Sequence, residues 1–409
     1  MNKLDMSMYD SVKEEYFKKI KIKIESSYQK YKSLGNKKFF DSVKICDFFE
    51  DDNGYNEEKV RKIIFMNFVN INNNYDEFLK NYFYTGALIN YIDFSIRAEL
   101  EKNRLHYNNN EKFRYRQNFV EMYRNPWVEQ YIIKHPNYYK TNDTFTIFIK
   151  DIKKEYEDMN KILKEIINYK NLDSDMRHKI IIKSKITVCP YCDRQYISYF
   201  MNNGKVEQTT ADLDHFYPKS KFPLFSLSLY NFIPSCQICN QRFKNQKMLK
   251  ILYPFKDGFD EDAKFIYDYK NVDSLFGEDE FFDLKLKIKA DSKKKDFIIN
   301  NKKMFHLESL YANHKPYIKE LLIKSKLIYN EAYLSQITAT FTQLGLNEEQ
   351  LQTFLYGYNF KNPNRNKTLG KLTKDILDIL EDDWQQKEKP IVHFITIGFS
   401  NFYNLVCLN

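Results

Sequence analysis

Two Cys-x-x-Cys pairs, Cys189-Pro190-Tyr191-Cys192 and Cys236-Gln237-Ile238-Cys239, stand 43 residues apart in this chain. They constrain the fold more than any other feature. Four thiolates are the full ligand set of a tetrahedral structural zinc, and the two pairs must meet to supply it. The loop they close is longer than a minimal zinc ribbon, so the metal would tie together the two ends of an inserted unit. Thiolate-only coordination leaves no open position for water, which makes this zinc structural. Redox dithiols or accidental spacing would need the pairs to act separately. Cys46 and Cys407 stand alone and read as buried or incidental thiols, not as a disulfide framework.

A chain of 409 residues exceeds the usual single domain, and two or three are expected. Its 43% hydrophobic and 17% aromatic content, with only 10 Gly, can build sizeable cores and argues against a disordered chain. A net charge of +9 suits a polyanionic partner, but spread over this length it carries little weight alone. The polar N-terminus, Met1-Asn2-Lys3-Leu4-Asp5, lacks the apolar core of a signal peptide, and the expected location is cytoplasmic. Ile391–Asn409 is apolar-rich and near the short limit for a membrane span. It carries His393, Ser400, Asn401 and Asn404, which reads as a strand or docked tail, so no membrane partner is expected.

The fold class expected is α+β: a mostly helical protein enclosing a small metal-stapled unit. Residues 1–180 read as a helical domain, clearest where Ile152, Tyr156, Met159, Ile162, Leu163 and Ile166 recur at helical spacing. Weaker versions run over Ser11–Tyr31, Glu57–Val69 and Tyr84–Leu100, with Asn70–Asn74 and Asn108–Asn110 as loops. Residues 181–260 form the unit with the cysteine pairs. There Ile186-Thr187-Val188 leads into the first pair, Gln195–Phe200 suits a strand, Asn202-Asn203-Gly204 a turn, and Asn240–Leu252 a helix. Residues 261–409 read as a mixed α/β extension. In it Leu284, Leu286 and Ile288 alternate with lysines as a half-exposed strand, His314–Phe341 suits a long helix and Leu372–Leu380 a short one.

The residues enclosed by the cysteines carry the chemistry. Asp214 offers a hard oxygen ligand for a divalent cation, and the neighbouring His215 can take a proton from water near neutral pH. On a strand the two would point to opposite faces, and on a bent loop they could flank one site. Asn231 and Asn240 bring amide carbonyls that can ligate a metal or hold an imidazole in one orientation.

The runs from Leu213 to Ser220 (LDHFYPKS), Tyr230 to Cys236 (YNFIPSC) and Cys239 to Lys244 (CNQRFK) resemble the HNH, or ββα-metal, endonuclease motif. The bracketing cysteine pairs are similar to those of its zinc-stabilised branch. The nine-residue step from Asn231 to Asn240 is like that in the HNH domains of RNA-guided CRISPR nucleases. The resemblance implies a β-hairpin and helix gripping one catalytic Mg²⁺ or Mn²⁺. Asp214 and Asn240 would be its ligands, His215 the general base, and Asn231 the residue that fixes the loop carrying the base. Asp and Asn replace the literal histidines at both metal positions, which moves the preference toward Mg²⁺ or Mn²⁺. Asn240, Lys244 and Lys247 would share a helix face, with Arg242, Lys244 and Lys247 as nucleic-acid contacts. The resemblance further implies DNA as substrate and a setting in bacterial antiphage defence, such as the Septu type, in which an ATPase subunit is the partner. A catalytically silent zinc-stabilised nucleic-acid-binding module, or an HNH nuclease acting on RNA, are the rival readings. Two stretches farther on, Phe305–His314 and Thr368–Asp375, look like features downstream of the motif in some bacterial members.

Overall fold

Helices in the first part of the chain follow from apolar spacing and from caps. In α1 (Asp10–Tyr31) the buried residues Val12, Tyr16, Phe17, Ile20, Ile24 and Tyr28 recur every three or four positions and form one stripe. The Asn56 side chain accepts the Glu58 and Lys59 N–H groups and so opens α2 (Glu57–Ile64). After α3 (Glu77–Asn103) and α4 (Asn109–Met122), Asn125 caps α5 (Pro126–Lys134), whose proline sits where no N–H is needed. Thr141 and Thr144 cap α6 (Asn142–Ile166) reciprocally, and Asp173 caps α7 (Ser174–Lys183). The computed structural model describes residues 1–69, 71, 76–103, 109–202, 205–269, 282–328, 331–357 and 367–385. The apolar stretch Ile391–Asn409 and Cys407 lie outside them.

Four departures from the sequence expectations have local causes. The helical region is interrupted by two small antiparallel pairs, β1 (Lys38–Phe39) with β2 (Val43–Lys44), and β3 (Glu50–Asp51) with β4 (Gly54–Tyr55). Gly54, at φ +100°, makes the second turn possible. Asn109 is not in a loop but opens α4. The expected helix over Asn240–Leu252 is a single π-helical stretch, Ile238–Lys244. It ends because Lys244 turns inward and Asn245 takes a positive φ of 45°. Leu252 N–H donates to Asn301 Oδ1 at 2.8 Å instead of to a helical carbonyl. The expected long helix from His314 divides into Lys315–Ile323, a π-helical turn Lys324–Ile328, and Glu331–Gln343.

Among the described residues the strands pair antiparallel in two-stranded ribbons. β5 (Tyr199–Asn202) pairs with β6 (Lys205–Thr209), and β7 (Ala211–His215) with β8 (Phe232–Cys236). In the latter Ala211 faces Cys236, Asp214 faces Ile233 and His215 faces Phe232. The result is a mostly helical α+β protein.

The chain divides into two compact units. The first comprises Met1–Phe259 and Lys293–Phe305, so the N-terminal helices and the cysteine segment share one unit. Tyrosines join them: Tyr9 Oη donates to Phe232 O at 3.0 Å and Tyr16 Oη to Leu227 O at 2.7 Å. Tyr82 Oη donates to Asn160 Oδ1 at 2.8 Å and accepts from Leu224 N at 3.3 Å. Part of the tyrosine content therefore reaches the backbone of the cysteine segment from the N-terminal helices.

The second unit, Asp260–Ser292 and His306–Asn409, contains the ribbon β9 (Ala263–Tyr269) with β10 (Phe282–Ile288). Leu284 and Leu286 are buried between exposed Lys285 and Lys287, the alternation read from the sequence. The two stretches singled out downstream of the motif make much of this core. Tyr311 stacks on Phe265 with centroids 4.3 Å apart, Thr373 bonds Tyr317 Oη at 2.7 Å, and Asp375 Oδ2 accepts the Phe265 N–H at 2.8 Å. Among the described residues no helix is long and apolar enough to cross a membrane.

Candidate functional site

Local backbone geometry brings the cysteines together. Cys189 N–H donates to Gln195 O and Asp193 N–H to Cys189 O, each at 2.9 Å, folding the first pair into a tight knuckle with Asp193 at φ +54°. The second pair spans the end of β8 and the start of the π-helical turn, where Cys239 N–H points at Cys236 Sγ, 3.5 Å away. All four sulfurs lie within 4.8 Å of one another and all four residues are buried. Burial pushes the Cys189 thiol well above its ordinary value, whereas contacts with the neighbouring sulfurs hold Cys236 below its own. This group could hold a zinc ion, since such an ion replaces the shared protons and needs no further ligand. Among the described residues no cysteine is in a disulfide.

One bond joins this cluster to the residues it encloses. Tyr191, between the first two cysteines, donates from Oη to Asp214 Oδ2 at 2.6 Å. Lys244 Nζ donates to the other oxygen, Oδ1, at 3.0 Å and to His215 O at 2.6 Å. Asp214 and Lys244 are only 3% and 1% exposed, so this is a buried ion pair. The π-helical turn ends at Lys244 and carries its ammonium to that carboxylate.

His215, the last residue of β7, has a different set of neighbours from Asp214. Its Nε2 lies 2.9 Å from Ser226 O. A carbonyl can only accept, so Nε2 carries the proton and Nδ1 the lone pair. The ring is wedged edge-on between Tyr169 and Phe232, with centroids 4.6 and 5.2 Å away. Burial, aided by the positive charges of Lys219 and Lys244, pushes its pKa down to about 3, so the imidazole is neutral at physiological pH.

Asn231, fully buried, holds the loop between His215 and β8. Its Oδ1 accepts Tyr217 N–H at 2.8 Å, and its Nδ2 donates to Tyr217 O and Phe225 O, both at 3.0 Å. Ser226, whose carbonyl orients His215, is pinned in turn by its Oγ donating to Ile167 O at 2.6 Å, just past the end of α6. Asn240 Nδ2 donates to Asp212 Oδ2 at 2.9 Å, and Gln241 shares that oxygen at 2.8 Å.

Asp212, Asp214, His215 and Asn240 all line one cleft of about 950 Å³. Its opposite wall comes from the end of α6, the turn Tyr169–Asn171 and α7, and presents Lys164, Lys170 and Arg177; Lys219 completes the ring of charge. Burial and the like charges of Arg177 and Lys164 hold the Lys219 ammonium below its ordinary value.

The structure thus brings Asp214, His215, Asn231 and Asn240 into one neighbourhood beside the four cysteines. It does not give Asn240, Lys244 and Lys247 a common exposed face: Lys244 is buried against Asp214, which removes it from the surface. Arg242 and Lys247 are exposed but do not line the cleft. Sequence reasoning missed Asp212, although its place two residues before Asp214 put it on the same strand face. It also missed Tyr191, and the cations of α6 and α7, for which no local pattern exists. No protein-family model matches the chain, and no curated protein or solved structure is found to be similar to it.

Proposed function

We propose that the chain is an HNH-type, metal-dependent endonuclease that hydrolyses phosphodiester bonds in DNA, with the cysteine group as its structural zinc site. The observation that carries this reading is a neutral imidazole, locked through Nε2, opening with Asp214 and Asn240 onto a cleft ringed by cations.

His215 Nδ1 takes a proton from a water that attacks the scissile phosphorus. Asn231 and Ser226 position that nitrogen, since together they fix the loop and the carbonyl to which the ring is bonded. The Asp214 carboxylate and the Asn240 amide oxygen, with its nitrogen engaged by Asp212, are hard donors that would hold Mg²⁺ or Mn²⁺. When bound, the ion supplies positive charge for the phosphoryl oxygens and the leaving 3′ oxygen, so products carry 5′ phosphate and 3′ hydroxyl ends. Asp214 already holds one cation, the Lys244 ammonium, so a divalent ion must share or displace it.

That pair also favours a second reading, a zinc-stabilised nucleic-acid-binding module without catalysis. The two separate on incubation with plasmid, single-stranded DNA and RNA in Mg²⁺, Mn²⁺ or EDTA. Metal-dependent cleavage of DNA supports the nuclease; cleavage of RNA alone reassigns the substrate; binding without cleavage of any substrate supports the module. A setting in bacterial defence beside an ATPase subunit belongs to the same proposal. Its check is whether such a partner changes the cleavage rate.

A further inference from the structure

Lys164, Lys170, Arg177 and Lys219 converge on the cleft from four separate points of the chain. None makes an ion pair with a carboxylate among the described residues, although neighbouring lysines do: Lys19 and Lys23 reach Asp173, and Lys179 reaches Glu15. Facing cations left without carboxylates repel one another, and burial together with the like charges of Arg177 and Lys164 holds the Lys219 ammonium below its ordinary value. Such an arrangement is stable in the presence of a polyanion. Of the two carboxylates in the cleft, Asp214 is already neutralised by Lys244, so the cleft's balance is positive.

The cleft also lacks a free stacking surface. Tyr169 is its one aromatic besides the histidines. Lys219 Nζ covers the tyrosine ring at 4.1 Å from the centroid, His215 abuts it at 4.6 Å, and the positive charge of Arg177 acts on its hydroxyl. A base has nowhere to stack there, and the ammonium and guanidinium donors match phosphate oxygens.

We propose that Lys164, Lys170, Arg177 and Lys219 form a backbone track that binds successive phosphates of the nucleic-acid strand, independent of sequence. The helical region therefore supplies the substrate grip, and the cysteine-stapled segment supplies the reacting groups. This inference rests on the nucleic-acid reading above, but not on catalysis.

The test measures DNA affinity of the full chain in EDTA, in a His215→Ala background, across a salt series and on several unrelated sequences. Lys164→Gln, Lys170→Gln, Arg177→Gln and Lys219→Gln should each reduce the slope of log affinity against log salt by ~0.7–0.9, equally for every sequence. The fourfold variant should lose about 3 from the slope, so that raising salt fourfold weakens binding ~60-fold less than in the parent. Neutralising the exposed Lys18 and Lys256, far from the cleft lining, controls for net charge, and circular dichroism controls for folding. An unchanged slope, an equal loss in the control variants, or a loss confined to particular sequences would overturn the track. Wild type that cuts plasmid while the track variants keep their slope removes this inference alone. Salt-sensitive binding lost in the variants, with no cleavage by wild type, removes the nuclease alone.

Discussion

At the scale of single residues, two buried groups titrate in opposite senses. His215 has a folded pKa near 3, far below its ordinary 6.5. The unfolded chain binds the proton first as pH falls, so this group's stability is present above 6.5 and lost toward 3, by at most about 5 kcal/mol. Burial raises Asp375 from 3.8 to about 6, against the pull of Lys371. The folded state then binds the proton first, so its stability is present below 3.8 and lost as pH rises through 6, about 3 kcal/mol. Hydrogen exchange corrected for intrinsic rates should show β7–β8 losing protection from pH 6.5 to 4.5 while β9 gains it. His215→Gln should flatten the first trend and Asp375→Asn the second; parallel trends in both regions would sink this assignment. The Asp214–Lys244 pair yields a further test. Lys244→Met alone leaves a buried carboxylate unpaired and should cost about 3–5 kcal/mol in denaturant unfolding, whereas adding Asp214→Asn should recover most of it. Additive losses would show that the pair is not coupled.

At the scale of elements, the loop between β7 and β8 is organised by Asn231 more than by its own turns. Asn231→Ala should destabilise the first unit by about 2–4 kcal/mol, because it orphans the buried Tyr217 N–H and two carbonyls. Protection of Phe216–Phe225 from exchange should fall with it, and a loss spread evenly over the unit would contradict the local role. Elements were legible where one physical signal dominated. Periodicity located α1, α3 and α6, and alternation located β10. The π-helical turn was not legible, because what ends it is a contact between Lys244 and a carboxylate 30 residues earlier. The long helix after His314 failed for a similar reason: an apolar face persists in sequence through a turn that changes its hydrogen bonding. The candidate site was readable as a set of neighbouring residues, Asp214, His215, Asn231 and Asn240, since their order and spacing are local. The opposite wall of the cleft was not, since Lys164 on α6, Lys170 in the next turn and Arg177 on α7 look ordinary in sequence, and only the fold brings them to one cleft without carboxylate partners among the described residues.

At the scale of the whole molecule, the four cysteines bring together the ends of the segment that carries the candidate site, and Tyr191 links them directly to Asp214. Metal analysis of protein purified without added metal should find about one zinc per chain, the stoichiometry of four thiolates around one ion. Cys236→Ser, or chelation strong enough to strip the ion, should unfold the first unit and abolish binding and cleavage together. Retention of a native exchange pattern without zinc would make the cysteines incidental. The claim on which the rest depends is that His215 acts as a base and not merely as a filled core position. It is tested most directly by the rate at which supercoiled plasmid is nicked in Mg²⁺ or Mn²⁺ by wild type and by His215→Ala, with DNA affinity measured alongside. The account predicts metal-dependent nicking that falls by at least ~100-fold in the variant while affinity is retained. Equal nicking by both proteins, or none by either while both bind DNA, would contradict it.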